Sequence, residues 1–399
     1  MKLLTYWAVS VLCLVPVAAR AQEPLKAPSS ATEAQGFIPE PDPITRVVLF
    51  ADRQLGKGDL TNGIYLEYGN MIPGAGWGNA GPGYRHWYGK DSLFIDGSAS
   101  ISVNNYRLAQ GRIELPALLK SRLVLGVQGR WQNFPRVDYF GEGADAPETP
   151  RSIYSVQSAQ FTGYASIRPM RWLDLHGQVS WMNPESHYVD GPLLKGLSDR
   201  RTIVPTEVSI TIDTRDFPNH PTRGVVLRGV GAQYDDRTSD TNSFKRYEGE
   251  AAAFMPIGGG RAVFALHGWL VRSELEAGHS VPLYLQPSLG GVNTLRSFTD
   301  YRFRDDNMLI ASAELRLAIM THIDFALFAD AGNVAKDYRN LDLDKQSFGG
   351  GFRLHTRRDT FAMVDAATGD EGWKVLFRLS DPLQLWRLTR RTTLVPFVP

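Results

Sequence analysis

The feature that most limits how this chain can fold is a period of two in its apolar residues, sustained from about residue 61 to residue 380. In Val208–Asp213, Val208, Ile210 and Ile212 project to one side, and Ser209, Thr211 and Asp213 to the other. Trp373, Val375, Phe377 and Leu379 likewise oppose Lys374 and Arg378. Ile323, Phe325 and Leu327 face away from Asp324 and Asp330. Side chains alternate across a strand, so each segment reads as β-structure with one apolar face. After the N-terminal leader, no stretch approaches the ~18 apolar residues that a helical span needs. A barrel strand needs only ~9–11 residues of alternating character.

A soluble sandwich would alternate in the same way, and the connections separate the two. Strands are expected near 62–70, 78–88, 93–104, 105–115, 121–133, 154–168, 172–183, 206–213, 224–234, 244–256, 261–273, 308–317, 323–333, 346–356, 359–366 and 373–380. Tight connections (169–171, 257–260, 320–322, 357–358) alternate with long ones (134–153, 183–205, 274–307, 334–345). Short turns on one side and long loops on the other are the pattern of a transmembrane antiparallel β-barrel. About 16 strands, an even number, places both ends on the periplasmic side, and a barrel of this size has room for a lumen. Trp77, Trp87, Tyr88, Trp131, Trp172, Trp181, Trp269 and Trp373 fall near strand ends, as an interfacial aromatic girdle requires.

The ends of the chain fit export. Lys2, an apolar run from Leu3 to Val17 and the Ala19-Arg20-Ala21 triplet read as a signal peptide over residues 1–21, cleaved after Ala21. Residues 22–60 carry Pro24, Pro28, Pro39, Pro41 and Pro43 and read as a periplasmic linker with one short extended piece, Arg46 to Phe50. The barrel is expected over 61–381, followed by a basic tail over 382–399 (Arg387, Arg390, Arg391). The formal net charge is +1 and stays near zero without the leader, which gives no electrostatic case for nucleic acid. The single cysteine, Cys13, lies in the leader, so the mature chain has no disulfide or thiolate chemistry.

One constellation stands out. Gly290-Gly291-Val292-Asn293-Thr294-Leu295-Arg296-Ser297-Phe298 lies in the longest loop, ahead of Glu314-Leu315-Arg316 in one strand and Phe328-Ala329-Asp330-Ala331-Gly332 in the next. Alternation puts Glu314 and Asp330 on the polar faces of adjacent strands. A loop folded inward would set Arg296 between them, where a guanidinium fork suits two carboxylates. Spacing alone describes equally well, and by frequency favours, a solvated arginine and two carboxylates lining water.

These segments resemble the barrel of the BamA/TamA superfamily of outer-membrane assembly factors, the bacterial surface antigen family. Leu295-Arg296-Ser297-Phe298 stands where that family has V-R-G-F, and Glu314-Leu315-Arg316 and Phe328–Gly332 match its E-L-R and F-x-D-x-G strands. Asp213-Thr214-Arg215-Asp216 with Pro221-Thr222-Arg223-Gly224 is similar to its D-T-R-D…P-x-x-G hairpin, and Tyr139–Gly143 to its Y-F-G-x-G loop. The resemblance implies an inward-folded extracellular loop whose Arg296 contacts Glu314 and Asp330. It also implies a weakly paired seam between the first and last strands that admits a client strand or lipid. The glycines at 74, 76, 78, 81 and 83 agree with loose pairing there. In three respects the sequence departs from the pattern: the loop motif has Leu295 for valine and Ser297 for glycine, residues 22–60 are short, and residues 383–399 follow the last strand where many such barrels end on an aromatic residue. Ser297 replaces a glycine, which strains the loop if that position needs positive φ. Residues 22–60 are too short for a POTRA module of some 75 residues, so a separate periplasmic partner is expected to capture clients.

The function implied is insertion, export or remodelling of outer-membrane proteins or lipids in a Gram-negative-type bacterium, with no cofactor and no covalent chemistry. A passive pore and, further off, a lipid-modifying barrel enzyme are the readings from other classes. The eight histidines show no metal-ligand spacing and there is no G-x-S-x-G elbow, so no metal site and no catalytic residue is expected.

Overall fold

The computed structural model describes residues 36–46, 48, 62–69, 71–89, 92–192, 194, 196–197, 200–379 and 397. The leader, most of the 22–60 linker and nearly all of the 382–399 tail lie outside these.

Sixteen strands form one antiparallel sheet, each paired with its neighbour along the chain. They are β1 (Gly63–Gly69), β2 (Asn79–Tyr88), β3 (Leu93–Ser102), β4 (Arg107–Ala117), β5 (Leu123–Tyr139), β6 (Ser152–Met170), β7 (Leu173–Asp190), β8 (Ile203–Asp213), β9 (Gly224–Asp236), β10 (Phe244–Ile257) and β11 (Ala262–Glu274), then β14 (Asn307–Ala318), β15 (Ile323–Ala335), β16 (Lys345–His355), β17 (Thr360–Gly369) and β18 (Gly372–Arg378). Two-residue strands β12 (Ser288–Leu289) and β13 (Phe303–Arg304) pair with each other inside the long β11–β14 loop. The sheet curls into a nearly closed barrel whose end strands, β1 and β18, are not neighbours in the ladder. At that edge the Trp77 and Phe377 rings meet edge to face, 5.8 Å between centroids.

The outer surface is apolar. Ile64, Leu66, Phe161, Val208, Ile210, Phe352 and Val375 are exposed, whereas Gln128, Arg130, Thr162, Gln178 and Glu250 are buried on the opposite face. This inversion of ordinary burial is what a bilayer around the sheet requires. No helix among the described residues is long and apolar enough to cross a membrane, which says nothing of strands.

Three expectations change. The strands on the long-loop side run further than the alternation suggests. β5 continues to Tyr139, β6 starts at Ser152 and β7 reaches Asp190, giving lengths of 17, 19 and 18 residues. Past the lipid band the pattern reverses: Phe134, Val137, Tyr154 and Val156 turn inward into an apolar cluster with Tyr106, Tyr234, Tyr284 and Tyr301. A reading tuned to apolar-outward strands stops where polarity flips. Second, Trp269 is 1% exposed and packs inward beside Leu289 and Phe298, so it is not part of an outer girdle. Third, the described residues of the expected extended piece, 46 and 48, are helical, as are 42–45 before them. Asp42-Pro43 begins this turn, where proline's missing N–H costs nothing, and the Pro41 carbonyl accepts from Ile44 N at 3.0 Å. The preceding residues are pinned to the β14–β15 turn: Ile38 N donates to Ile319 O at 2.9 Å, and Glu40 accepts from His322 N at 2.7 Å.

The first hairpin gives glycine a packing role. A Cβ on Gly83 of β2 would fall 2.2 Å from the Tyr65 ring of β1, so the aromatic covers the backbone there.

Candidate functional site

Four adjacent strands and one loop build the site. Glu314 and Arg316 project from β14, Asp330 from β15, Arg353 from β16 and Asp365 from β17, all on the face opposite the exposed apolar side chains. The loop between β11 and β14 brings Arg296 to them. Its guanidinium grips Asp330 with two parallel bonds, Nε to Oδ2 at 2.8 Å and Nη2 to Oδ1 at 2.9 Å. Nη1 reaches Glu314 Oε2 at 3.1 Å and Asp365 Oδ2 at 3.2 Å. The Phe328 ring lies under the guanidinium, 3.3 Å from Cζ to the centroid.

Two further arginines complete the set. Arg353 Nη2 donates to Glu314 Oε2 at 3.0 Å and to Asp365 Oδ2 at 3.2 Å, and Nη1 also bonds Asp365. Arg316 Nε donates to Glu314 Oε1 at 2.8 Å. Three carboxylates thus face three guanidiniums, and their formal charges cancel. All six residues are almost wholly buried. Charges removed from water are tolerable only when paired and hydrogen-bonded in this way.

The remaining loop residues shape the approach of Arg296. Gly290 (φ 118°) and Gly291 (φ 88°) occupy left-handed backbone, and a Cβ on Gly290 would lie 2.1 Å from Thr299 O. Gly290 N donates to Thr294 Oγ1 at 2.9 Å and Gly291 N to Phe298 O at 3.0 Å, closing a tight turn. Leu295 and Phe298 bury their side chains against Trp269, Met308 and Ile310, and Phe298 meets Phe303 edge to face at 5.1 Å. Ser297 keeps negative φ, so the serine carries no left-handed strain, and its N–H donates to Ser347 Oγ at 2.9 Å. A Cβ on Gly332 would lie 3.1 Å from the loop's Leu289, a second close approach of loop to wall.

Sequence reasoning did not find Asp365 or Arg353. It also missed Glu371, which binds the loop through Arg302 Nε and through Thr299 N at 3.2 Å. The Tyr139–Gly143 segment meets the same loop: Gly143 N donates to Arg304 O at 2.8 Å. Asp213, Arg215, Asp216 and Gly224 form a separate scaffold in the β8–β9 turn. Arg215 forks onto Asp213 at 2.9 and 2.7 Å, and Asp216 accepts from Thr222 N at 3.0 Å. Gly224, at φ 109°, closes that turn.

An acidic group marks the outer end of the loop. Burial first, then the neighbouring charges of Asp305 and Glu142, push the Asp306 carboxyl up to about 6. A folded-state pKa above the unfolded value of 3.8 means that the native protein holds a proton the unfolded chain has lost. The stability this provides is complete below pH ~4 and declines as pH rises to ~6, by at most about 3 kcal/mol. Proteolysis within the loop is therefore expected to speed up between pH 5 and pH 7, and Asp306→Asn to flatten that dependence. An unchanged slope in the variant would assign the effect elsewhere.

With this geometry in hand, comparison with known proteins is decisive. An Omp85 superfamily domain matches residues 153–356, half of the chain. The chain belongs to the Omp85 superfamily. Solved Omp85-type barrels share its fold at low identity. BamA from Haemophilus ducreyi lacking POTRA domains 1–3 is 16% identical with a TM-score of 0.59, over 80% of this chain and 69% of that one. CdiB from Acinetobacter baumannii (17%, TM-score 0.50) is matched over 79% of this chain and 58% of its own length. CdiB from Escherichia coli (13%, TM-score 0.54) is matched over 79% and 62%. The chain therefore spans less than two thirds of either CdiB. No curated protein matches the sequence. Membership places the chain among outer-membrane β-barrels.

Proposed function

We propose that this Omp85 barrel assists the insertion, export or remodelling of outer-membrane proteins or lipids by opening between β1 and β18. The β11–β14 loop, folded into the barrel interior and latched by Arg296 to Glu314, Asp330 and Asp365, braces the wall that adjoins β18. The observation that carries this reading is the sheet's unjoined edge. β1 has only seven residues against 19 in β6, and β1 and β18 are not ladder neighbours. A short terminal strand with loose register is a template for an incoming strand. Outer-membrane lipid, a client barrel and a separate periplasmic protein that captures the client are the partners this mechanism calls for.

The edge supplies its own test. A Cβ on Gly78 would lie 3.3 Å from Leu379 Cδ1. The double variant Gly78→Cys/Leu379→Cys should therefore form a disulfide across the seam. Oxidised, it is expected to abolish the acceleration of client-barrel folding in liposomes, and reduction should restore it. Equal activity when locked would reject the seam. Steady, salt-scaled conductance in a planar bilayer, with no effect on client folding, would establish a passive pore instead.

A further inference from the structure

The connections at the two ends of the barrel differ in charge. The long loops carry an excess of acids and the short turns an excess of cations. At the short-turn end the acids are engaged within the protein. Asp174 accepts from Arg168 Nε at 2.8 Å, and Asp359 accepts from Asn219 Nδ2 at 2.6 Å. The β8–β9 turn, residues 214–223, spends its groups inward in this way. Its His220 stacks on His355 of β16, 4.0 Å between ring centroids, beside Asp324 of β15.

Two other turns do the opposite. The β4–β5 turn (residues 118–122) and the β6–β7 corner (residues 168–172) are joined where Arg168 N donates to Arg122 O at 2.7 Å, just beyond the Leu123–Ile167 pair of β5 and β6. Lys120, Arg122 and Arg171 are exposed on this ledge, and among the described residues none of them forms an ion pair. Asp174 is the only acid in residues 115–125 and 165–175, and Arg168 holds it. Four cations against one acid leave the ledge strongly positive.

The backbone is bent to present these groups. Leu119, Lys120 and Ser121 have left-handed φ of 49°, 60° and 64°, a conformation that three consecutive non-glycine residues adopt only at a cost. Arg122 N closes the turn onto Leu118 O at 3.1 Å. Retained strain of this kind points to a place where side-chain position matters.

The apolar neighbours identify the anion that fits. Leu119, Met170 and Trp172 are exposed on the same two turns, and Leu125, Ile167 and Leu175 continue the lipid-facing surface of β5, β6 and β7 beside them. Unpaired cations next to an exposed tryptophan, at the edge of an apolar band, match the layer where lipid phosphates meet acyl chains. An acidic protein would leave those apolar side chains uncovered.

We propose that the β4–β5 and β6–β7 turns form a binding site for an anionic phospholipid of the periplasmic leaflet. Lys120, Arg122 and Arg171 take the headgroup phosphate, and Leu119, Met170 and Trp172 lie against the upper acyl chains. The arginine fork fits two phosphate oxygens, and lysine adds a point charge. The site stands on strands β4 to β7, apart from the β1–β18 edge, and does not depend on that edge opening. Neither turn stands out in the sequence, because only the pairing of β5 with β6 brings residues 122 and 168 together.

The test uses the full chain refolded in detergent and titrated with phosphatidylglycerol or phosphatidylcholine, with bound lipid counted by native mass spectrometry. The wild type should hold one phosphatidylglycerol more than ~10-fold tighter than phosphatidylcholine. Lys120→Gln, Arg122→Gln and Arg171→Gln should each lower that preference roughly fivefold, the effect of one charge at a membrane surface, and the triple variant should abolish it. All three side chains are exposed, so the variants should fold like the wild type, which heat-dependent gel mobility checks. Arg357→Gln/Arg358→Gln, on the β16–β17 turn, should leave the preference unchanged. An equal loss in that control would credit the overall charge of the rim and overturn the site, as would equal affinity of the wild type for the two lipids. Displacement of phosphatidylglycerol by equimolar glycerophosphoglycerol would assign the ledge to a soluble phosphoester instead. Binding of polyglutamate without preference between the lipids would assign it to an acidic protein, and either result overturns the lipid site.

Discussion

Arg296→Ala is expected to release the β11–β14 loop and to lower barrel stability by about 3–5 kcal/mol. The substitution deletes four hydrogen bonds to three carboxylates. It leaves Glu314, Asp330 and Asp365 facing only Arg316 and Arg353, a buried excess of one negative charge. Such a pair is costly to break because the abandoned partner stays desolvated. The midpoint of urea unfolding in lipid vesicles should fall, and trypsin should cut within residues 274–307 under conditions that spare the wild type. Arg296→Lys should recover part of the loss at most, since an ammonium cannot fork onto Asp330 while also reaching Glu314 and Asp365. A wild-type midpoint and a protected loop in Arg296→Ala would sink the latch.

Asp365→Ala should cost nearly as much, although no motif drew attention to it. Arg353 would lose both of its bonds to β17 and Arg296 one, and three guanidiniums would share the two remaining acids. The charge-neutral double change Arg353→Met/Asp365→Leu should be much milder than the sum of its parts, with a coupling of about 1–3 kcal/mol. Strict additivity in that cycle would mean that the two residues act independently.

How much of this was readable in the chain depends on which face a residue shares. Alternation located fourteen of the sixteen strands because the lipid-facing residues are apolar and their neighbours small or polar, as in β8 and β18; the first two were placed to complete an even count, their glycine-rich sequence blurring the period. It also put Glu314 and Asp330 on the same side of adjacent strands, where the structure has them. Asp365 escaped because its strand carries apolar residues on both faces, and Arg353, inward with Ser347, Gly351 and His355 on the cleanly alternating β16, belongs to no motif that singled it out. Phe361, Met363 and Ala367 point inward with Asp365, while Val364 points out. An acid in such a strand looks like an interruption rather than one member of a set. The overlong β5–β7 were truncated for the converse reason, since above the lipid their inner face becomes the apolar one. The meeting of a turn at 220 with strands at 324 and 355 depends on barrel closure, which no local period encodes.

The charge cluster draws one member from the β11–β14 loop and the others from four successive strands near the C-terminal end of the barrel. No single hairpin contains a neutral subset with all its partners. A nascent barrel that lacks β16 and β17 would hold Arg296 and Arg316 against Glu314 and Asp330 alone, with neither Arg353 nor Asp365 to complete the network. Completion of the network therefore waits for β16 and β17, and the protection of the loop against protease is expected to rise when they join the wall.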